Sequence, residues 1–479
     1  MLSARLGRGG EPALKIAGVG QGYVGLVTSV GAAEWGNEVV GVEIDPQRLL
    51  ALRAGRSPIF EPGLEELVAG HAATGRLSFS SDTGEAVAGA RIVFVAVATT
   101  DSAGAWDFAT MRRCLTGVVP LMDDDSVLVI RSTCPPQLVK EIVPLVDAIR
   151  SNADRAPIAL AFNPEFTREG NALHDFLEPD RVILGIASDP SGLGEAALRQ
   201  FYATVEAPIL VMGAADAMLS KLASNLYLAT KISFANELAA LCDVHGSRIE
   251  RVVEGMSYDP RIGGSFLRAG IGFGGSCLPH QVTMTVADAE TLGIDVPLLA
   301  AVDSINARQR TTFVDRLAAL TGGLEGRRIA LLGLTFKPHT DDLRAAPGLD
   351  IARDLLSRDA VVVAYDPMET ARQRAAGLID DLLIADTAID ALTGADAVGL
   401  ITEWPEFVAL PWADLARVVR GQVVVDGRNA LDPEVMAAAG FTYSAFGRGT
   451  QTAQDGSAAA SVPVGSPINV RSALAFSES

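Results

Sequence analysis

Residues 15–25 read KIAGVGQGYVG, an apolar run that leads into three glycines with the spacing G-x-G-x-x-G. Between a strand and a helix, the first glycine allows a tight turn, the second lets a pyrophosphate approach the backbone, and the third permits close helix–strand packing. A glycine-rich turn can also be purely structural, so the motif needs its context. We predict that the whole turn contacts a dinucleotide: Gly20, Gln21, Gly22, Tyr23, Val24 and Gly25.

Glu43 provides that context. It falls near the end of the next apolar run, EVVGVEI, 18 residues after Gly25. A carboxylate at this place can bind the ribose hydroxyls, and it repels a 2′-phosphate. The pattern therefore favours NAD over NADP as the cofactor.

The surrounding sequence alternates short apolar runs with helical patterns. Such runs, bounded by helices, are typical of a parallel sheet buried on both faces. From about residue 216 a long helical pattern without Pro or Gly continues to Gly246, and the β/α alternation resumes at residue 327. We predict tails at 1–12 and 450–479, an α/β domain over 13–208, a helical region over 209–320 and a second α/β domain over 321–449.

Composition excludes several classes of function. The chain has 479 residues, with 39 Lys and Arg against 58 Asp and Glu, so its net charge of -19 disfavours nucleic acids and anionic membranes as partners. Its apolar runs fall short of the ~20 residues that span a bilayer, and the N-terminus does not resemble a signal peptide. Four scattered cysteines predict neither a disulfide framework nor a metal site. We expect a cytoplasmic protein.

Cys277 lies in the stretch GFGGSC, directly before a predicted helix. A cysteine is usually an inert small apolar residue. The nearby glycines suggest instead a backbone that wraps closely around a ligand, with the thiolate stabilised at a helix start. We favour a nucleophile; Cys114, Cys134 and Cys242 lack such surroundings.

Two further pairs of residues stand out. Lys221 and Asn225 are four apart and therefore share one helix face, which is either a solvated face or a site among apolar neighbours. Glu165 and Glu169 follow the apolar run IALAFNP, and the ends of parallel strands are where ligands bind.

The chain resembles the UDP-glucose/GDP-mannose dehydrogenase family over roughly residues 14–450. DPRIGGSFL at 259–267 is more similar to the UDP-glucose branch than to the GDP-mannose branch. The other matching stretches, in order, are GQGYVGL at 20–26, SPIFEPGL at 57–64, RSTCPP at 131–136, NPEFTREG at 163–170, DFLEPDRVILG at 175–185, KLASNLYLATKISFANE at 221–237, GFGGSCLP at 272–279, GLTFKPHTDDLR at 333–344 and DGRN at 426–429.

The resemblance implies two Rossmann-like, doubly wound parallel-sheet domains joined by a central long-helix region that dimerises. The first domain would bind NAD and the second a nucleotide sugar, most closely UDP-glucose. The implied reaction oxidises the C6 alcohol to the acid in two NAD-dependent steps, through a thiohemiacetal and then a thioester on Cys277. The pathway served stays open, since envelope polysaccharides and secondary-metabolite sugars both need uronic acids.

The resemblance also assigns roles to residues. Lys221 and Asn225 would stabilise the developing oxyanion, Glu165 would help to activate the hydrolytic water, and Thr133 would hold an ordered water. The residues implied on the cofactor side are Glu43, Arg48, Thr99, Thr133, Glu169 and Arg344. Those implied on the substrate side are Glu165, Phe166, Lys221, Asn225, Arg261, Phe266, Leu267, Gly270, Gly272, Phe336 and Lys337.

One catalytic position departs from the family pattern. Where the family has an Asp four residues after the nucleophile, this chain has Gln281, which can hydrogen-bond a water but cannot take a proton. The turn usually written G-T-P also begins here with Ala98. Three alternatives follow: a working dehydrogenase in which Glu165 or His280 replaces the Asp, an enzyme that uses another sugar nucleotide or stalls before hydrolysis, or a catalytically weak nucleotide-sugar-binding homologue.

Overall fold

The computed structural model describes residues 13–101 and 105–451, so the predicted tail at 1–12 and the predicted tail from 452 onward lie outside it. Within these residues, eight strands form the first sheet in the order β3-β2-β1-β4-β5-β6-β7-β8. The strands are β1 (Lys15–Val19), β2 (Glu38–Val42), β3 (Leu77–Ser80), β4 (Ile92–Val95), β5 (Val127–Ile130), β6 (Ala159–Phe162), β7 (Val182–Ser188) and β8 (Ile209–Gly213).

Helices cover both faces of this sheet. The central strands β4, β5 and β6 are buried along their whole length, as their continuous apolar sequences predict. The helices are α1 (Tyr23–Glu34), α2 (Pro46–Arg53), α3 (Leu64–Ala73), α4 (Thr83–Val87), α5 (Ala109–Val118), α6 (Pro136–Asn152), α7 (Ala172–Leu177) and α8 (Gly194–Phe201), with a 3-10 turn at Val119–Leu121.

The first sheet differs from the prediction at its far edge. β7 runs antiparallel to β6, because the connection over 163–181 holds only the short helix α7 and does not return the chain to the opposite edge. β8 then pairs in parallel with β7, so the sheet continues to Gly213. The sheet thus extends five residues beyond 208, the residue at which we predict that the first domain ends.

Four helices form the central region. The 32-residue α9 ends at Gly246, whose left-handed backbone terminates the helix, as the sequence predicts. None of the helices in the described ranges is long and apolar enough to cross a membrane. The central helices are α9 (Ala214–His245), α10 (Ile249–Ser257), α11 (Leu278–Thr291) and α12 (Pro297–Thr321).

The second sheet has the order β11-β10-β9-β12-β13-β14-β15 in the described residues, and all of its pairs are parallel except β14–β15. Its strands are β9 (Arg328–Leu332), β10 (Val361–Tyr365), β11 (Leu383–Ile384), β12 (Ala397–Leu400), β13 (Val423–Asp426), β14 (Thr442–Ala445) and β15 (Thr450–Gln451). Its helices are α13 (Pro347–Ser357), α14 (Glu369–Ala376), α15 (Ala388–Leu392), α16 (Pro405–Val408), α17 (Trp412–Leu415) and α18 (Pro433–Ala438).

The predicted tail from residue 450 is wrong at its first two residues, since these form β15. Backbone pairing with Tyr443 and Ser444 of β14 explains why a segment of low apolar content is ordered. With this correction, the α/β fold with two Rossmann-like sheets and a central long-helix region is confirmed.

Arg428 joins the second sheet to the central region. Its guanidinium donates to three backbone carbonyls, those of Ile401 at 2.8 Å, Gly272 at 2.9 Å and Phe336 at 3.0 Å. Gly272 begins the stretch 272–277, the thiol loop, which leads to Cys277. This contact therefore fixes the thiol loop against the second domain.

Candidate active site

The glycine turn between β1 and α1 has the geometry that a dinucleotide needs. Gly20 has φ +88°, which favours glycine, and a Cβ on Gly25 would lie 1.8 Å from the carbonyl oxygen of Gly20. A Cβ on Gly22 would meet no atom within 4 Å, so this residue faces open space at the start of α1. These residues fit a bound pyrophosphate.

Glu43 and Arg48 brace the same turn. Glu43 is buried directly after β2, and its Oε2 atom lies 3.4 Å from Nε of Arg48. Arg48 also donates to the backbone oxygen of Gln21 at 2.7 Å. The side chain of Gln21 points into the protein, where it donates to Gly18, so only the backbone of Gln21 is left to meet a cofactor.

Tyr23 connects the turn to the loop over 163–171. Its hydroxyl bonds to Glu61, and Glu61 accepts the backbone N–H groups of Gly170 and Ala172, each at 2.7 Å. Burial and the neighbouring Glu61 raise the pKa of Tyr23, so the phenol stays protonated. Val24 follows, half-buried in the first turn of α1.

Thr99 and Thr133 meet at the ends of β4 and β5. The hydroxyl of Thr99 donates to the backbone oxygen of Thr133 at 2.7 Å. β4 lies beside β1 in the sheet and β5 is the next parallel strand, so the two threonines are at the same edge of the sheet as the dinucleotide turn.

Cys277 is the residue directly before α11. Its side chain is exposed in the cleft between the first and the second domain. Protein nevertheless surrounds the thiol on its other sides. This burial raises the pKa of Cys277 above its ordinary value of 9.0, although the charge of Lys221 opposes it. Burial of the thiol therefore opposes the thiolate that the sequence predicts, whereas the charge of Lys221 favours it.

The glycines before Cys277 pack against the protein itself. A Cβ on Gly272 would lie 2.2 Å from Oδ1 of Asn306, and one on Gly270 would lie 2.3 Å from the backbone oxygen of Gly427. Gly274 and Gly275 are equally close to the second domain. The loop therefore packs between α12 and the second domain, and its contact with a ligand stays a prediction.

Lys221 and Glu165 form a buried ion pair at the floor of the cleft. The distance from Nζ of Lys221 to Oε1 of Glu165 is 3.3 Å, and both side chains are more than 90% buried. Burial opposes ionisation of Glu165, yet Lys221, Thr167 and Arg131 together hold the pKa of Glu165 below its ordinary value. The solvated-face alternative for Lys221 is therefore excluded.

Asn225 lies one helical turn further along α9 and points to Gln281, the position at which the family has an Asp. Its Nδ2 donates to Oε1 of the buried Gln281 at 2.9 Å. The bond fixes which way the Asn225 amide faces, and it needs no charge. Lys221 and Asn225 thus reach the same site from one helix face.

A pair of carboxylates, Glu169 and Asp342, lies at the cleft between the two domains. Arg344 donates to Glu169 at 3.1 Å and to Asp342 at 2.7 Å, while Ser276 donates to Glu169 at 3.4 Å. Burial and the neighbouring Asp342 raise the pKa of Glu169 to about 7, whereas the pKa of Asp342 is lowered by Arg344 against the effect of burial. The two carboxylates share one guanidinium, and Glu169 holds the proton more readily.

The aromatic residues predicted for the substrate side lie at the same cleft. The ring of Phe166 lies between Arg181, 3.5 Å from its centroid, and Lys221, at 5.2 Å. Phe336 packs over Gly275. Lys337 stands beside Phe336, where burial lowers the pKa of its ammonium group and Glu169 opposes that effect.

Arg261 lies outside this cluster. It is exposed and paired with Asp259, and the neighbouring Ile262 accepts a hydrogen bond from Lys231 at 3.3 Å. Lys231 is ten residues beyond Lys221, about 15 Å along α9. Within one chain, Arg261 is therefore remote from the cleft; Phe266 is half-exposed with φ +64°, and Leu267 is buried.

Three residues that shape the site were missed by the sequence analysis. Thr167 donates to Glu165, Glu61 holds the loop at Gly170, and Arg428 fixes the thiol loop. Each lies in a stretch that resembles the family, which is the signal that could have identified it. Across residues 13–101 and 105–451, no group of three or more His, Cys, Asp or Glu side chains could hold a metal ion.

Comparison with known proteins agrees with this geometry. Three family models match successive parts of the chain, all of the UDP-glucose/GDP-mannose dehydrogenase family: the NAD binding domain at 14–206, the central domain at 215–308 and the UDP binding domain at 330–433. The fold and the cleft define an NAD-dependent dehydrogenase. The chain belongs to the UDP-glucose/GDP-mannose dehydrogenase family, as an NAD-dependent nucleotide-sugar dehydrogenase.

Relatives match along almost the whole chain. A UDP-glucose 6-dehydrogenase of Pseudomonas aeruginosa is 40% identical over 447 residues, which cover 91% of this chain and 98% of the relative. The UDP-glucose 6-dehydrogenase YwqF of Bacillus subtilis is 37% identical and is covered to 98%. The structure of a UDP-glucose dehydrogenase from Pyrobaculum islandicum superposes with a TM-score of 0.81 at 37% identity, over 89% of this chain and 96% of that one.

Proposed function

We propose that this chain oxidises UDP-glucose at C6 to UDP-glucuronate in two successive hydride transfers. The observation that supports it best is the cleft in which Cys277 meets the buried Lys221–Glu165 pair, beside the dinucleotide turn. The names of the relatives and the match to a UDP binding domain support UDP-glucose as the substrate.

The thiol gives the second oxidation a suitable reactant. NAD, when bound, accepts hydride first from the C6 alcohol and then from the adduct of the resulting aldehyde. Cys277 forms that adduct when its sulfur bonds to C6 and the carbonyl oxygen takes a proton, which gives a thiohemiacetal. Loss of hydride and of the hydroxyl proton leaves a thioester, and water then breaks the C–S bond and returns a proton to the thiol.

Lys221 and Asn225 stabilise the negative charge that develops on the C6 oxygen. The ammonium and the amide N–H can each donate to that oxygen in a cleft that largely excludes water. Gln281 holds the Asn225 amide by a 2.9 Å bond, so the donor is oriented before the substrate arrives. Lys221 also assists the transfer of the alcohol proton.

Glu165 is the group in the site that can take the proton of the hydrolytic water. Its carboxylate is held ionised next to Lys221, as a general base requires. Thr133 follows β5 at the same edge of the sheet as the cofactor turn, and we assign it to hold an ordered water. With Glu165 as the general base, hydrolysis does not require a carboxylate at position 281.

The substrate-side residues bind the nucleotide sugar between the domains. Phe166, Phe336 and Lys337 border the cleft, and Gly270, Gly272 and Leu267 support the loop that carries the thiol. Glu169 and Arg344 pair with each other at this cleft, and we assign them to the cofactor side.

We further propose that two copies associate through α9 and that the protein acts in the cytoplasm. Leu219, Tyr227, Phe234 and Leu241 are each at least 45% exposed, at spacings of seven or eight residues that place them along one side of the helix. Sedimentation of Phe234→Glu should show a monomer where the unmodified chain is a dimer; an unchanged dimer would contradict this interface.

The test of the reaction is the number of NADH molecules formed per UDP-glucose consumed, with limiting substrate. Two per substrate, with UDP-glucuronate as product, are expected. Cys277→Ser should form no acid, whereas Cys114→Ser, a control at a half-buried cysteine on α5, should retain both oxidations. Acid formation by Cys277→Ser would refute the thioester route.

A second candidate follows from Gln281. Because this side chain cannot accept a proton, the enzyme could oxidise its substrate and then stall at the thioester. A single burst that releases two NADH per active site, with an adduct on Cys277 in intact-mass spectra, would support this candidate. In that case Gln281→Asp should release the adduct; if no NADH forms, other nucleotide sugars are the next substrates to test.

A further inference from the structure

We propose that Thr167 is a positioning residue that holds one oxygen of Glu165 and thereby turns the other toward Lys221 and the cleft. This inference rests on the proposed function, in which Glu165 takes the proton of the hydrolytic water. Thr167 acts through Glu165 and does not itself touch the reacting atoms.

The geometry assigns the two oxygens of Glu165 to different tasks. The backbone N–H of Thr167 donates to Oε2 at 2.6 Å, and the hydroxyl of Thr167 donates to the same oxygen. The other oxygen, Oε1, lies 3.3 Å from Nζ of Lys221. With Oε2 occupied twice, Oε1 is the oxygen left to accept a proton at the cleft.

Glu165 needs this support because it is buried. A carboxylate that is 7% exposed takes up a proton unless charges or donors stabilise its ionised form. Lys221 is its ion-pair partner, and the Cys277 thiol also lies within its field. Gln281 contributes no charge, so the hydroxyl of Thr167 makes up part of what the site requires.

Two cations near this loop hydrogen-bond to partners other than Glu165, although the charge of Arg131 also lowers the pKa of Glu165. Arg131, at the end of β5, donates to Asn163 and Tyr202. Arg168 pairs with Asp175 at 2.6 Å. Glu165 and Thr167 also line a cavity of about 160 Å³ behind the loop, whose other titratable residues are Arg131, Arg168, His174, Asp175, Glu178, Asp180, Arg181 and Tyr202.

Thr167→Val keeps the shape of the side chain and the backbone donor but removes the hydroxyl. Without that donor the pKa of Glu165 rises, so the acidic limb of the kcat–pH profile should move upward by about one pH unit, and the rate below the limb should fall about tenfold. Thr167→Ser should restore the profile. Thr312→Val, which loses an exposed hydroxyl on α12, is the control and should leave it unchanged.

A second readout does not depend on turnover. The infrared band of the protonated carboxylic acid, assigned by its loss in Glu165→Gln, should appear at higher pH in Thr167→Val than in the unmodified chain. An unmoved band, or an unmoved limb in an active enzyme, would overturn the role of Thr167. Absence of UDP-glucuronate from the unmodified chain would instead refute the proposed function, while the infrared titration would still decide on Thr167.

Discussion

At the scale of single residues, the site combines one cation, one carboxylate and one thiol whose ionisation states depend on one another. Lys221 lowers the pKa of both Glu165 and Cys277, whereas the Glu165 charge raises the pKa of the thiol. Burial has the largest effect on the pKa of Cys277 and raises it, so the thiol is neutral before it reacts. The proposed mechanism requires its proton to leave as the aldehyde forms, which suits a nucleophile used only in the second oxidation.

This coupling gives a prediction for the thiol. Glu165→Gln removes a negative charge beside Cys277, so the pKa of the thiol should fall and alkylation of Cys277 by iodoacetamide should reach its half-maximal rate at lower pH. Mass spectrometry of the Cys277 peptide measures this rate, with the Cys242 peptide as an internal control. A midpoint that stays the same or rises would contradict the coupling.

At the scale of elements, loops place the reacting groups and helices anchor them. Asn306 of α12 accepts the backbone N–H of Phe273 at 2.8 Å and donates to its carbonyl oxygen at 3.0 Å. The thiol loop is thus attached to α12 two residues from Gly275, and Gly272 lets the backbone approach the Asn306 amide. The glycines before Cys277 thus help to fix the position of the thiol.

We predict that Gly272→Ala destabilises the protein and lowers turnover. The alanine would have to adopt φ +87°, and its Cβ would lie 2.2 Å from Oδ1 of Asn306. The free energy of unfolding should therefore fall by more than about 2 kcal/mol, the sum of backbone strain and a lost hydrogen bond to the Asn306 amide. Thermal melting measures it. Gly293→Ala, with φ +70° and open space around its Cβ, shares only the backbone strain, and an equal loss in both variants would contradict the steric argument.

At the scale of the whole molecule, the two domains meet through a carboxylate pair on one guanidinium. Glu169 belongs to the first domain, and Asp342 and Arg344 belong to the second. The pKa of Glu169 is raised from 4.5 to about 7, mainly by burial. The folded state therefore binds more protons than the unfolded state between these pH values.

Because the folded state binds more protons, the stability of the protein falls as the pH rises through this range. Glu169 contributes stability that is fully present below about pH 4.5 and is lost as the pH rises to about 7, on the order of 3 kcal/mol at most. In Glu169→Gln this fall in stability should disappear, as measured by denaturant unfolding at pH 5, 6 and 7. Glu290→Gln, at an exposed site on α11, should retain the dependence of the unmodified chain; a fall that persists in Glu169→Gln would contradict the assignment.

The sequence by itself determined the elements and the chemistry available to them. Continuous apolar runs marked the central strands, the glycine spacing at 20–25 marked the dinucleotide turn, and the motifs marked the family. These signals are local, because strand burial and tight turns restrict which residue types are tolerated at each position. The two-residue edge strand β15 leaves no such signal, since its identity depends on its pairing with β14.

Only the tertiary structure decided which groups face one another. The pairing of Lys221 with Glu165, the bond from Asn225 to Gln281 and the donors on Glu165 join segments far apart in sequence or depend on the path of a loop. It also decided that Cys277 is a raised-pKa thiol and that Glu169 titrates near neutral pH. The physical reason is that desolvation and charge–charge interaction depend on three-dimensional distance and burial, which residue types and spacing do not specify.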